Sequence, residues 1–173
     1  MKTTRAMLAL AAVSALGLAS VPAVAAPGGG APRTELPRPS PSPSNKKAQK
    51  TETDFQQAEY LVKGEQFAEA IPLLEDVVKD NPRDADAWNY LGFANRKLGN
   101  KEKALAAYQK ALAVDPKHKG ANEYLGELYL QMGDLPKAEA QLAILKGICG
   151  NDCEEVEDLT ADIADYKAQQ PAG

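Results

Sequence analysis

ADAWNYLGFANRKLGNKEKALAAYQKALAVDPKH, residues 85–118, is the stretch on which the fold turns. Trp88, Leu91 and Gly92 mark a first apolar helix, Ala104, Tyr108 and Ala111 mark a second, and Pro116 closes the unit. The landmarks recur at a step of 34 residues. Forward, Leu91 maps to Leu125, Gly92 to Gly126 and Ala104 to Ala138; backward, Ala104 maps to Ala70, Tyr108 to Leu74 and Pro116 to Pro82. A self-similar period of this length belongs to helix-turn-helix arrays, in which no unit can bury its apolar face alone.

Working outward, the copy before it covers residues 51–84. Phe55, Ala58, Leu61 and Val62 give its first helix one apolar face, and Gly64 breaks that helix. Phe67, Ala70, Ile71, Leu74, Val77 and Val78 form the second helix, with Pro72 near its start and Asn81-Pro82 as the stop. The copy after it covers residues 119–152. Tyr124, Leu125, Leu128 and Tyr129 lie on its first helix, Met132-Gly133-Asp134 makes the inner turn, and Ala138, Leu142 and Leu145 fill its second helix. Asp84 and Asn100 are read as N-caps and Gly99 as a C-cap. Val156, Leu159, Ile163 and Tyr166 then share one side of a final helix, Glu154 to Gln169, whose other side is acidic. A solenoid needs such a cover on its last apolar face.

These residues resemble the tetratricopeptide repeat family, whose pattern is W-x2-L-G-x2-Y, then A-x3-F, then A and P. The middle copy follows the pattern except for Asn95, where Tyr is usual. The first copy is degenerate, with Asp54, Gln57 and Ala58 at the Trp, Leu and Gly positions. The expected fold is an all-α solenoid of three repeats (51–84, 85–118 and 119–152) plus a C-terminal capping helix over 153–169. The ending from Cys149 also resembles the tails of small exported bacterial members of the family.

The remaining chain predicts export. Lys2 and Arg5 precede an apolar run from Ala6 to Leu18, too short to span a bilayer comfortably, and Ala23-Val24-Ala25 fits the small-x-small cleavage rule. Residues 1–25 are therefore expected to be a signal peptide, and the protein to be periplasmic or secreted, with no membrane span after cleavage. Residues 26–50 carry eight prolines and glycines between Pro27 and Pro41 and are expected to form a disordered, extended tether. That tether holds Arg33, Arg38, Lys46, Lys47 and Lys50 against Glu35, a net charge of +4, whereas residues 51–173 carry 13 basic and 23 acidic side chains, a net of −10. An acidic domain repels phosphate backbones, so nucleic acid is not an expected partner.

Little in the chain suits catalysis. No serine follows Ser44, the lone His118 sits at an inter-repeat turn, and there is no Gly-rich phosphate loop. Neither an enzyme activity nor a cofactor is expected. Cys149 and Cys153, the only cysteines, bracket a Gly-Asn turn. In an exported protein their even count and close spacing point to a disulfide worth about 2 kcal/mol in chain entropy. A redox-active pair and a metal site remain as alternatives, although the spacing is not CxxC and no His lies nearby.

What the resemblance implies for function is a concave groove lined by the first helix of each repeat, receiving a peptide or partner helix. The positions that face it would be Glu52, Phe55, Glu59 and Val62, then Asp86, Asn89, Phe93 and Arg96, then Glu123, Glu127 and Leu130. Such an acidic and aromatic groove suits an extended segment with apolar anchors and Lys or Arg between them. The carboxylate clamp of the chaperone-binding members is not expected here, because Phe55, Glu59, Gly120 and Tyr124 occupy its positions. The leading expectation is a non-catalytic protein-binding module of the bacterial envelope. A homo-oligomeric scaffold, with tether or cap in a neighbour's groove, and a thiol-redox protein are the alternatives.

Overall fold

The computed structural model describes residues 42–170. The expected signal peptide and residues 26–41 of the expected tether lie outside them. Seven helices follow one another: α1 (Pro43–Lys63), α2 (Phe67–Asp80), α3 (Ala85–Lys97), α4 (Lys101–Val114), α5 (Lys119–Gln131), α6 (Leu135–Cys149) and α7 (Glu154–Gln169). Each odd helix pairs with the next even one, and each pair packs on its successor. This is the three-repeat solenoid with a terminal cap, α7 lying across α5 and α6. None of these helices is long and apolar enough to cross a membrane.

The core is a chain of shared interfaces. Ala58, Leu61, Leu74, Val77, Ala87 and Leu91 seal α1, α2 and α3 together. Ala104 and Tyr108 meet Leu125 and Leu128 where α4 joins α5. Leu130, Ala138 and Leu145 meet Val156, Leu159 and Ile163 of α7. The helices approach closely at Gly92, where an added Cβ would lie 2.6 Å from the Tyr108 ring. In the third repeat Leu142 stands where Tyr108 does, and the space beside Gly126 is taken instead by Leu159 of the cap.

Two expectations are corrected. The first helix begins at Pro43, so residues 43–50 are helical rather than part of an extended tether. Pro43 occupies the first helical position, where its missing N–H costs nothing. Lys47 pairs with Asp80 at 3.1 Å and Lys50 with Asp54 one turn on, tying the added turns to α1 and α2. Asn100 does not cap α4. Its amide donates to Asn95 Oδ1 at 3.2 Å, while Asn95 Nδ2 donates to the Leu91 carbonyl at 2.9 Å. Asn95 is buried, so both ends of its amide need partners, and Asn100 supplies one. Asp84 does cap α3, accepting from the Ala87 N–H at 2.9 Å, and His118 Nδ1 caps α5 in the same way at 3.1 Å. Helix α2 runs unbroken through Pro72.

The inner turns differ in one residue. Gly99 and Gly133 adopt φ near +80°, and Glu65, 34 residues before Gly99, is forced into the same left-handed region at φ 58°. The first repeat has its glycine one place early, at Gly64, where φ is −86°. Glu65→Gly is expected to stabilise the protein by about 0.5–1 kcal/mol, read as a higher urea midpoint with an unchanged slope. A lower midpoint would contradict the repeat-to-repeat equivalence.

Candidate functional site: the concave groove

The first helices α1, α3 and α5 stand side by side, and α7 continues the row, so four helices wall one concave face. Its chemistry changes along its length. Towards α1 and α3 a cavity of about 350 Å³ is lined by Val62, Lys63, Asp86, Asn89, Tyr90, Phe93 and Tyr124. Towards α7 a second, of about 450 Å³, is lined by Glu127, Leu130, Gln131, Asp162, Asp165, Tyr166 and Gln169.

The aromatic end is built by rings stacked across repeats. Phe67 meets Phe93 edge-on at 5.8 Å, Phe93 meets Tyr124 at 5.0 Å, and Phe55 meets Tyr90 at 5.7 Å. Tyr90 donates its hydroxyl to Glu59 at 2.8 Å, and burial followed by that hydrogen bond pushes its pKa up to about 12. Glu59 and Phe55 thus act on the groove by holding Tyr90. Phe55 and Glu52 line a further recess at the N-terminal end with Thr51, Asp80 and Asp84.

Asn89 is the outlier of this cavity. It is buried, and its Oδ1 has no hydrogen-bond partner. An unpaired buried carbonyl costs about 1–3 kcal/mol, so such atoms are uncommon without a purpose.

Arg96 sits beneath the groove rather than on it. It is 5% exposed, its Nη1 donates to Glu127 Oε2 at 2.5 Å, and its Nε reaches the Tyr108 hydroxyl at 3.4 Å. Its guanidinium also lies 5.3 Å from the Phe93 ring centre and 5.4 Å from that of Tyr124. One cation therefore fixes the aromatic end, an acid of the other end, and the buried tyrosine of α4. Val62 and Leu130, at the equivalent positions of repeats one and three, are also buried.

The other end is acidic. Glu123 is 8% exposed and makes no hydrogen bond or ion pair within the described residues. Burial, then Glu127, Asp158 and Glu155, push its carboxyl up to about 8. Burial also pushes Glu127 up, against the pull of Arg96 and with help from Asp162. Glu155 pairs with Lys119 at 2.9 Å. Folded Glu123 keeps a proton that the unfolded chain loses near pH 4.5. Its contribution to stability is thus fully present below about pH 4.5, declines as pH rises to about 8, and is lost above. Thermal melts are expected to show Tm falling across that window, and Glu123→Gln to reduce the slope. With solvent screening the effect is on the order of 2 kcal/mol. An identical slope in the variant would contradict this assignment.

Cys149 and Cys153 are bridged across the α6–α7 turn, with Cα atoms 6.0 Å apart, and both pack against the cap's apolar cluster. They lie off the groove lining.

The groove positions taken from the repeat pattern thus divide. Val62, Asn89 and Phe93 line the aromatic cavity, and Glu127 and Leu130 the acidic one. Arg96 and Glu123 lie buried at the junction. Tyr90, Tyr124, Asp162 and Tyr166 belong to the site without having been expected there. Tyr90 and Tyr124 are 34 residues apart, a recurrence that could have marked them.

Models of the tetratricopeptide repeat match residues 55–113 and 96–163, spanning all three helical pairs and most of α7. The chain belongs to the tetratricopeptide repeat family. Tetratricopeptide repeat protein 1 of Schizosaccharomyces pombe is 31% identical over 83 residues, 46% of this chain and 8% of that protein. A putative beta-barrel assembly-enhancing protease of Vibrio cholerae is 31% identical over 83 residues, 47% of this chain and 17% of that protein. The chain thus spans less than a fifth of either relative's length. Among solved structures, the Yersinia enterocolitica type III secretion chaperone SycD, in complex with a peptide of the translocator YopD, superposes with a TM-score of 0.63 at 18% identity. That match covers 70% of this chain and 95% of the chaperone. The TPR2B domain of yeast Sti1, in its pHsp70 complex, gives a TM-score of 0.65 at 17% identity, covering 70% of this chain and 99% of the domain. Both likenesses concern the fold.

Proposed function

We propose that this protein is a non-catalytic module of the bacterial envelope that holds an extended segment of a partner protein in its concave groove. The observation that carries this reading is the unpaired Asn89 Oδ1 at the wall of the aromatic cavity. A backbone N–H of a bound segment would satisfy it, while an apolar side chain of the same segment enters among Val62, Tyr90, Phe93 and Tyr124. The repeat proteins SycD and Sti1 described above are seen with partner peptides, which supports a groove-bound segment. Export rests on the leader pattern of Lys2, Arg5, the 6–18 apolar run and Ala23-Val24-Ala25.

The test separates stability from binding. Asn89→Ala removes a buried atom that nothing satisfies, so the free protein is expected to melt no lower than wild type. Together with Phe93→Ala it is expected to lose the partner bands that the wild type retains from an envelope extract. Unchanged bands, with folding verified by circular dichroism, would remove the groove as the working surface.

A further inference from the structure

The acidic half of the groove holds more negative charge than the protein neutralises. Arg96 pairs with Glu127 and Lys119 with Glu155. Among the described residues no cation pairs with Glu123, Asp158 or Asp162. Surface acids alone would mean little, since a solvated helix face is commonly acidic. Glu123 is different: it is 8% exposed, it accepts no hydrogen bond, and it faces Glu127 on its own helix and Asp158 on α7. A buried carboxyl aimed at other carboxyls is costly unless something positive completes the group.

Resting on the groove reading above, we propose that Glu123, Glu127, Asp158 and Asp162 form a receptor for one lysine or arginine side chain of the bound segment. The receptor is continuous with the aromatic cavity. Tyr124, which lines that cavity, directly follows Glu123 in the chain, and Glu127 lies one turn further along α5. Three residues of helix advance by about 5 Å, and an extended chain by about 3.3 Å per residue. The basic side chain is therefore expected roughly one to three positions from the apolar anchor. The cap helix accordingly reads the ligand as well as sealing the core, because Asp158 and Asp162 come from α7. Burial of Glu123 keeps it neutral until a cation arrives, so an uncharged segment gains nothing there.

The test is selection of phage-displayed random peptides on the wild-type protein and on Asp158→Asn/Asp162→Asn and Glu123→Gln variants, with and without EDTA. Wild type is expected to enrich peptides with an apolar residue and, one to three positions away, Lys or Arg. The variants are expected to keep the apolar preference and lose the basic one. A synthetic enriched peptide should bind each variant at least ~10-fold more weakly, and its citrulline or norleucine version should bind wild type and variants alike. Enriched peptides with no basic preference, or a basic preference kept by the variants, would overturn the receptor while leaving the groove intact. Enrichment that EDTA abolishes would give the carboxylates to a divalent cation instead and also overturn it. No enrichment on any form would remove the peptide groove itself.

Discussion

Arg96→Ala is expected to be the most damaging single substitution in this protein, lowering stability by about 3–5 kcal/mol in urea titrations. Three losses combine. The Glu127 carboxylate, 20% exposed at its side chain, is left without its cation. The fully buried Tyr108 hydroxyl loses its donor at 3.4 Å. The Phe93 and Tyr124 rings lose the guanidinium beside them. Most of the cost comes from the stranded charge rather than from the pair's own worth, since desolvation consumes much of a buried ion pair's attraction. A second variant tests this. Arg96→Leu combined with Glu127→Gln removes the charge on both sides, and the equivalent sites in the neighbouring repeats already carry buried Val62 and Leu130. The double variant is expected to recover at least about half of the loss, and an additive double-mutant cycle would refute the coupling.

Gly92→Ala should follow, at about 2–3 kcal/mol. An added Cβ would stand 2.6 Å from Cδ1 and Cε1 of Tyr108 and 3.0 Å from Cγ. That ring is fully buried and packed at the α4–α5 interface, so it has nowhere to go. The better helix propensity of alanine, worth about 1 kcal/mol, offsets only part of the clash. Gly126→Ala provides the contrast. Its Cβ would meet Leu159 methyls at 2.6 and 2.8 Å, but these are the ends of a flexible side chain on the terminal helix, which can yield. Gly126→Ala is expected to cost less than half as much. Equal losses at the two glycines, measured as urea midpoints, would show that ring rigidity is not what decides.

Much of the fold was legible in the sequence because period and packing coincide. Leu91 and Leu125 recur because both fill inter-repeat cores, and Gly92 and Gly126 recur because both admit a neighbour. The misses are local. Residues 43–50 look like an extension of the proline-rich stretch, yet no proline follows Pro43 for a long interval and lysines there find acids on α1 and α2. Glu65 gives no hint of a positive φ, since the adjacent Gly64 looks like the natural turn residue. The candidate site was half legible. Asn89 and Phe93 follow from counting along a repeat, but the burial of Arg96 does not, because a long cationic side chain reads as surface. Nor does counting along repeats reach α7, whose Asp158 and Asp162 belong to no repeat. Their part in the groove emerges only once the cap is laid across α5.

Helix α7 closes the stack and also forms one wall of the trough. Any copy of the middle unit spliced in ahead of it would push the carboxylates outward while the aromatic end stayed with α1 and α3. The interval between the two contact points would then lengthen by one repeat's stride, with neither point altered. The architecture works as a ruler with fixed end-stops, and the number of units inserted between them sets the length of segment it measures.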